Sequence, residues 1–147
     1  FGCQVYAYSR TKKDIPGITY VDLDTLLSTC DIISLHTPLN DGTRGMIGKA
    51  QLDLMKPSAL LINTSRGPVD SAALADALNS GKIAGAGIDV FEGEPPIAKD
   101  HPLLTAKNVI ATPHIGFATK EALVKRAVIV FDNIVKWMDG TPQNVMK

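Results

Sequence analysis

The sequence predicts an α/β fold built on a doubly wound parallel sheet, and three observations carry that prediction. Six short apolar runs rich in β-branched residues recur along the 147 residues: "VYAYS", "ITYV", "DIISLH", "ALLINTS", "GAGIDV" and "NVIATP". They are apolar on both sides of the strand rather than alternating, as in a parallel sheet covered on both faces. Helical patterns separate them, and strand, helix, strand at this spacing is the signature of right-handed βαβ units.

Each helix has its own start and stop signals. "DLDTLLSTC" opens on Asp22 as N-cap and turns Leu23, Leu26 and Leu27 inward; "IGKAQLDLMKP" is ended by Pro57. "SAALADALNSGK" follows Asp70 and stops at Gly81, a suitable residue just past a helix end. The longest helix follows Pro113, with Thr119 as N-cap and Gly140 as the stop, and Leu123, Ala127, Val130, Ile134 and Met138 form an apolar stripe read as structural. The opening "FGCQV" reads as a helix end entering a strand, so the stretch is expected to be the back part of something larger.

Composition narrows the function classes. With 45% hydrophobic and 20% charged residues the chain is of ordinary globular type. Lys plus Arg equals Asp plus Glu at 15 each, so no global field favours nucleic acid or an anionic membrane. The sequence shows no transmembrane run and no signal peptide. Cys3 and Cys30 lack metal-ligand spacing and read as small core residues in a reducing compartment.

Chemistry is expected where polar groups end apolar strands, since open α/β sheets bind ligands at their carboxyl ends. In "LLINTSRGPVD" the guanidinium of Arg66 suits a carboxylate held by two parallel hydrogen bonds; the plainer alternative is a local pair with Asp70. In "GAGIDVFEGEPP" Asp89 ends a strand at the sheet edge of a cleft, and Glu92 and Glu94 follow, either to orient an imidazole or simply solvated. In "NVIATPHIGFAT" His114 offers a group of the type that exchanges protons near neutrality, although a lone His beside a strand is usually structural. An Arg, a Glu and a His after three strands of one parallel sheet converge in space as a carboxylate clamp, an orienting acid and a proton donor.

The stretch "LLINTSRGPVDSAALADALNSGKIAGAGIDVFEGEPP", with "HPLL", "KNVIATPHIG" and "ATKEA", resembles the nicotinamide-binding domain of the D-isomer-specific 2-hydroxyacid dehydrogenases, and the likeness runs from "FGCQVYAYSR" to the end. The resemblance implies a Rossmann-like fold over residues 1–147 and makes Arg66 the substrate clamp, His114 the acid/base and Glu94 its partner, with Glu92 variable and exposed. It also implies that Asp89 meets the nicotinamide carboxamide, that backbone around Thr64, Ser65 and Gly116 helps, and that Thr37 and Pro38 flank the adenine. The implied activity is a cytoplasmic NAD- or NADP-dependent reduction of a small 2-oxoacid, such as glyoxylate or hydroxypyruvate, to the D-2-hydroxyacid. The whole protein would be a homodimer with neither a nucleic-acid nor a membrane partner.

In Rossmann domains an acid after the second strand bonds the ribose hydroxyls and repels a 2′-phosphate. Here the position resembles Ser9, followed by Arg10, Thr11, Lys12 and Lys13, which favours NADP; a basic, solvated strand end is the alternative. Two departures stand out. The 147 residues contain no G-x-G-x-x-G, and the first strand of the 3-2-1-4-5-6 order is missing, which should leave unpaired backbone on both neighbours. The fragment alone, also lacking the substrate domain, is therefore expected to be inactive. Phe117 stands where the family more often has a small residue, at the mouth of the site or against a partner chain. A dinucleotide-sensing, corepressor-like protein without turnover is the alternative from a different class, and a purely structural domain a third.

Overall fold

The computed structural model describes residues 2–146. Its strands are β1 (Val5–Ala7), β2 (Ile18–Tyr20), β3 (Ile32–Leu35), β4 (Leu60–Asn63), β5 (Gly85–Ile88) and β6 (Val109–Ala111). The helices are α1 (Leu23–Thr29), α2 (Lys49–Leu54), α3 (Ser71–Asn79) and α4 (Lys120–Met138), and a 3₁₀ turn spans Pro102–Leu104. All six apolar runs are strands; the 3₁₀ turn is the element the pattern did not announce, because three residues are too few to show a period. The backbone forms two compact units, divided after Pro113.

All pairings are parallel. β1 pairs with β2 alone, β3-β4-β5-β6 form a second sheet, and no ladder joins the two among the described residues. The order β3-β4-β5-β6, with helices packed against it, is that of a Rossmann-like parallel sheet.

In the four-stranded sheet, register sorts the residues onto two faces. Ile33, Leu61 and Ala86 stand side by side, as do Leu35, Asn63 and Ile88. This face is buried under Leu27 of α1, Leu52 of α2, and Leu74 and Leu78 of α3. The other face carries Ile32, Leu60 and Ile110, all exposed, so α1, α2 and α3 of the unit that ends at Pro113 cover the opposite face of the sheet.

The caps follow the sequence. Asp22 accepts from the Thr25 backbone N–H at 2.8 Å, and this bond holds its carboxyl below the usual carboxylate range. Gln51 of α2 reaches back to the Gly48 N–H at 3.2 Å. Asp70 accepts from both Ala72 and Ala73 N–H at 3.0 Å, and Gly81 ends α3 at φ +73°, a conformation that favours glycine. Asp70→Ala should therefore cost about 1 kcal/mol of stability, read as a lower urea midpoint with an unchanged slope.

Two expectations need correction. Cys3 is exposed, so it is not a core residue, and Cys30 is half-buried and packs against the edge of the core rather than within it. No residue of α4 is buried: Leu123, Val130, Ile134 and Met138 are all exposed. Helical periodicity decides which residues share a face, but not what packs on it.

Candidate active site

The parallel pairing of β4, β5 and β6 places their carboxyl ends side by side. Arg66 follows β4, Glu94 follows β5 and His114 follows β6.

At the end of β4, Asn63 is buried and its Oδ1 accepts from the Ser65 N–H at 2.9 Å. The Ser65 hydroxyl donates to the Leu35 carbonyl at 2.9 Å, tying this turn to the end of β3. Thr64 and Arg66 are exposed. Gly67 then turns the chain at φ +70°, where a Cβ would stand 2.7 Å from Leu39 Cδ1. Asp70, the candidate partner for Arg66, is occupied as the α3 cap, and no acid pairs with Arg66 among the described residues.

At the end of β5 Asp89 is buried and accepts from the Thr112 hydroxyl at 2.5 Å, while its N–H donates to the Asn63 carbonyl at 3.0 Å. A carboxylate so enclosed needs charge-assisted partners, and Thr112 supplies one. In the following turn Glu94 is partly buried and its Oε2 accepts from the Phe91 N–H at 3.0 Å, whereas Glu92 is exposed. The two acids of the turn are thereby distinguished: Glu94 is built into it and Glu92 is not.

Sequence reasoning missed the residue that braces this turn. His101 is buried, its ring meets Phe91 edge-on at 5.3 Å, and its Nδ1 accepts from the Leu103 N–H at 3.3 Å. An acceptor Nδ1 places the proton of the neutral ring on Nε2. The available signal was "HPLL", in which a Pro directly after a polar residue marks a helix start.

His114 adopts φ +54°, an uncommon conformation for a residue with a side chain and one that gathers at functional positions. Ile115 to Ala118 form a turn closed at 2.8 Å, which contains Gly116 and Phe117 and leads into the Thr119 cap of α4.

The cofactor candidates on the other strands lie at the carboxyl ends of β1 and β3. Tyr8, Ser9, Lys12, Tyr20, Asp22 and Thr25 line a cleft of about 550 Å³. The Ser9 hydroxyl donates to the Thr11 carbonyl at 3.0 Å, and Arg10 is exposed beside it. Asp22 was not foreseen in this cleft because its only sequence signal was that of a helix cap. After β3, Thr37 Oγ1 is buried with no partner, and the Pro38 carbonyl accepts from the Thr43 hydroxyl at 2.6 Å. Among the described residues no cluster could hold a metal ion, and no helix is long and apolar enough to cross a membrane.

The family model described as D-isomer specific 2-hydroxyacid dehydrogenase, NAD binding domain, matches residues 1–116. The chain belongs to the D-isomer-specific 2-hydroxyacid dehydrogenase family. A glyoxylate reductase of Thermococcus litoralis is 49% identical over 152 residues, spanning 99% of this chain and 45% of that enzyme. The crystal structure of D-lactate dehydrogenase with NAD+ from Lactobacillus jensenii superposes with a TM-score of 0.88 at 37% identity, covering 99% of this chain and 49% of that one. An acyclic imino acid reductase in complex with NADPH and D-Arg gives 0.86 at 34% identity, covering 98% and 46%. The chain thus spans about half the length of the members of the 2-hydroxyacid dehydrogenase family to which it is most readily compared.

Proposed function

We propose that this chain is the dinucleotide-binding portion of an NAD(P)-dependent D-2-hydroxyacid dehydrogenase that reduces a small 2-oxoacid of the glyoxylate or hydroxypyruvate type. The observation that carries the reading is the placement of Arg66, Glu94 and His114 after three adjacent parallel strands, where a doubly wound sheet binds its ligands. In this reading Arg66 holds the substrate carboxylate with two hydrogen bonds and His114 delivers a proton to the 2-oxo oxygen. Glu94, whose carboxylate accepts from the Phe91 N–H, is the acid assigned as the partner of His114. A bound reduced nicotinamide supplies the hydride.

The residues fit such a cofactor. The unpartnered Thr37 hydroxyl offers a hydrogen bond to a polar group beside the adenine site assigned to Thr37 and Pro38. Asp89, Thr64, Ser65 and Gly116 are assigned to the nicotinamide end. Ser9 and Arg10, with Lys12, are assigned to a ribose 2′-phosphate, which makes NADP the favoured cofactor. Arg10→Ala should shift the ratio of NADPH to NADH dissociation constants toward NADH by about tenfold, on the order of one charge-assisted hydrogen bond. An unchanged ratio removes the phosphate assignment.

The proposal extends to residues 1–147 as one portion of that domain, inactive without a glycine-rich loop and a substrate-binding domain, in a whole protein that is dimeric and cytoplasmic. The test is oxidation of NADPH by a panel of 2-oxoacids, run on the longest natural polypeptide containing the chain and on the 147 residues alone. Turnover by the longer polypeptide only is expected. Tight dinucleotide binding with no turnover by either would establish the sensing alternative.

A further inference from the structure

We infer that Asp22, just after β2, is a specificity residue of the cofactor cleft, whose charge disfavours a ribose 2′-phosphate and so limits the preference for NADP; the inference rests on the reading of this cleft as the site of the adenosine ribose. β1 and β2 pair in parallel, with Val5 level with Ile18 and Ala7 level with Tyr20, and the Val21 N–H donates to the Ala7 carbonyl at 3.0 Å. That register, carried past the last pair, sets Ser9 level with Asp22. Ser9 stands where a Rossmann domain usually places the acid that reads the ribose. The acid of this cleft is therefore one strand over, and both residues line it.

Local bonds make this charge a fixed one. Oδ1 of Asp22 accepts from the Thr25 N–H and Oδ2 from the Thr25 hydroxyl, both at 2.8 Å, so the carboxylate is held in one orientation as the cap of α1. The backbone bond first, and the hydroxyl bond after it, favour the ionised form, and Asp22 stays charged throughout the neutral range. Hydrogen bonds orient a carboxylate without neutralising it. Lys12 lines the same cleft with the opposite charge, and no ion pair joins it to Asp22 among the described residues. The two charges therefore act separately on a group placed in the cleft. A 2′-phosphate gains from Lys12 and Arg10 and loses to Asp22, whereas the 2′-hydroxyl of NADH has no net charge for any of them to act on. The pyrophosphate is common to both cofactors and cancels from the comparison.

Asp22→Asn and Asp22→Ser remove the charge and keep a side chain that caps a helix, so α1 retains its start. In the longest natural polypeptide containing the chain, each should tighten NADPH by roughly three- to fivefold at low ionic strength and leave NADH nearly unchanged. The dissociation constants are read by titration of the nicotinamide fluorescence, with no substrate present. In about 0.5 M salt the gain over the parent should shrink below about twofold, because Asp22 is exposed and its field is screened; a local rearrangement would not respond to salt. Arg10→Ala is measured beside them and should move the NADPH to NADH ratio the other way. A ratio that Arg10→Ala moves and neither Asp22 variant moves overturns the role of Asp22 alone. An equal change in both constants, or a gain that persists in high salt, overturns discrimination by charge. A ratio that none of the three variants moves removes the 2′-phosphate from this cleft, and the cofactor assignment and this inference fall together.

Discussion

His114→Asn is expected to lower kcat by on the order of 10²- to 10⁴-fold, the usual contribution of a positioned acid/base, while the thermal midpoint stays close to that of the parent. Asparagine is the informative replacement. It tolerates the left-handed backbone that His114 occupies at φ +54°, so a loss of rate is not confounded by backbone strain. It carries a polar group of similar reach but cannot donate and recover a proton near neutral pH. The check is steady-state kinetics on the longest natural polypeptide containing the chain, with a thermal melt as the folding control. A kcat within threefold of the parent would remove His114 from the chemistry.

Arg66→Lys should reduce kcat/KM by roughly 10²- to 10³-fold, about 3–4 kcal/mol of transition-state binding, with KM carrying much of the change. The guanidinium offers two parallel donors to a carboxylate, whereas an ammonium keeps the charge and loses the fork. Stability should hardly respond, because Arg66 is exposed and no acid pairs with it among the described residues. The discriminating measurement compares a 2-oxoacid with the corresponding 2-oxo amide. If both lose rate equally, Arg66 does not read the carboxylate.

These predictions draw on residues that the sequence exposes unevenly. Arg66 and His114 stand out in the sequence because each follows an apolar strand and stands beside turn-forming residues, and the roles proposed for them come from the resemblance. Glu94 and Glu92 were not separable that way; two acids two positions apart in a Gly/Pro turn look alike until the Phe91 N–H selects one of them. His101 and Asp22 were hidden for the same reason. The burial of His101 against Phe91 and the place of Asp22 in the cleft beside Ser9 both depend on segments distant in sequence or on the next strand end. The α4 stripe shows the limit of periodicity, which picks out the shared face and leaves open what covers it; no residue of α4 is buried.

The sequence by itself determined the class of fold, all six strands and the caps at Asp22, Asp70 and Thr119, because apolar period, cap chemistry and turn residues act over a few positions, while the family came from the resemblance of its motifs. Only the tertiary structure decided which face of the sheet is buried, that Asp89 is enclosed with Thr112, and that Phe117 lies between His114 and Arg126. Each of those depends on packing, register or chain reversal, and these bring together groups whose separation along the chain leaves no local trace.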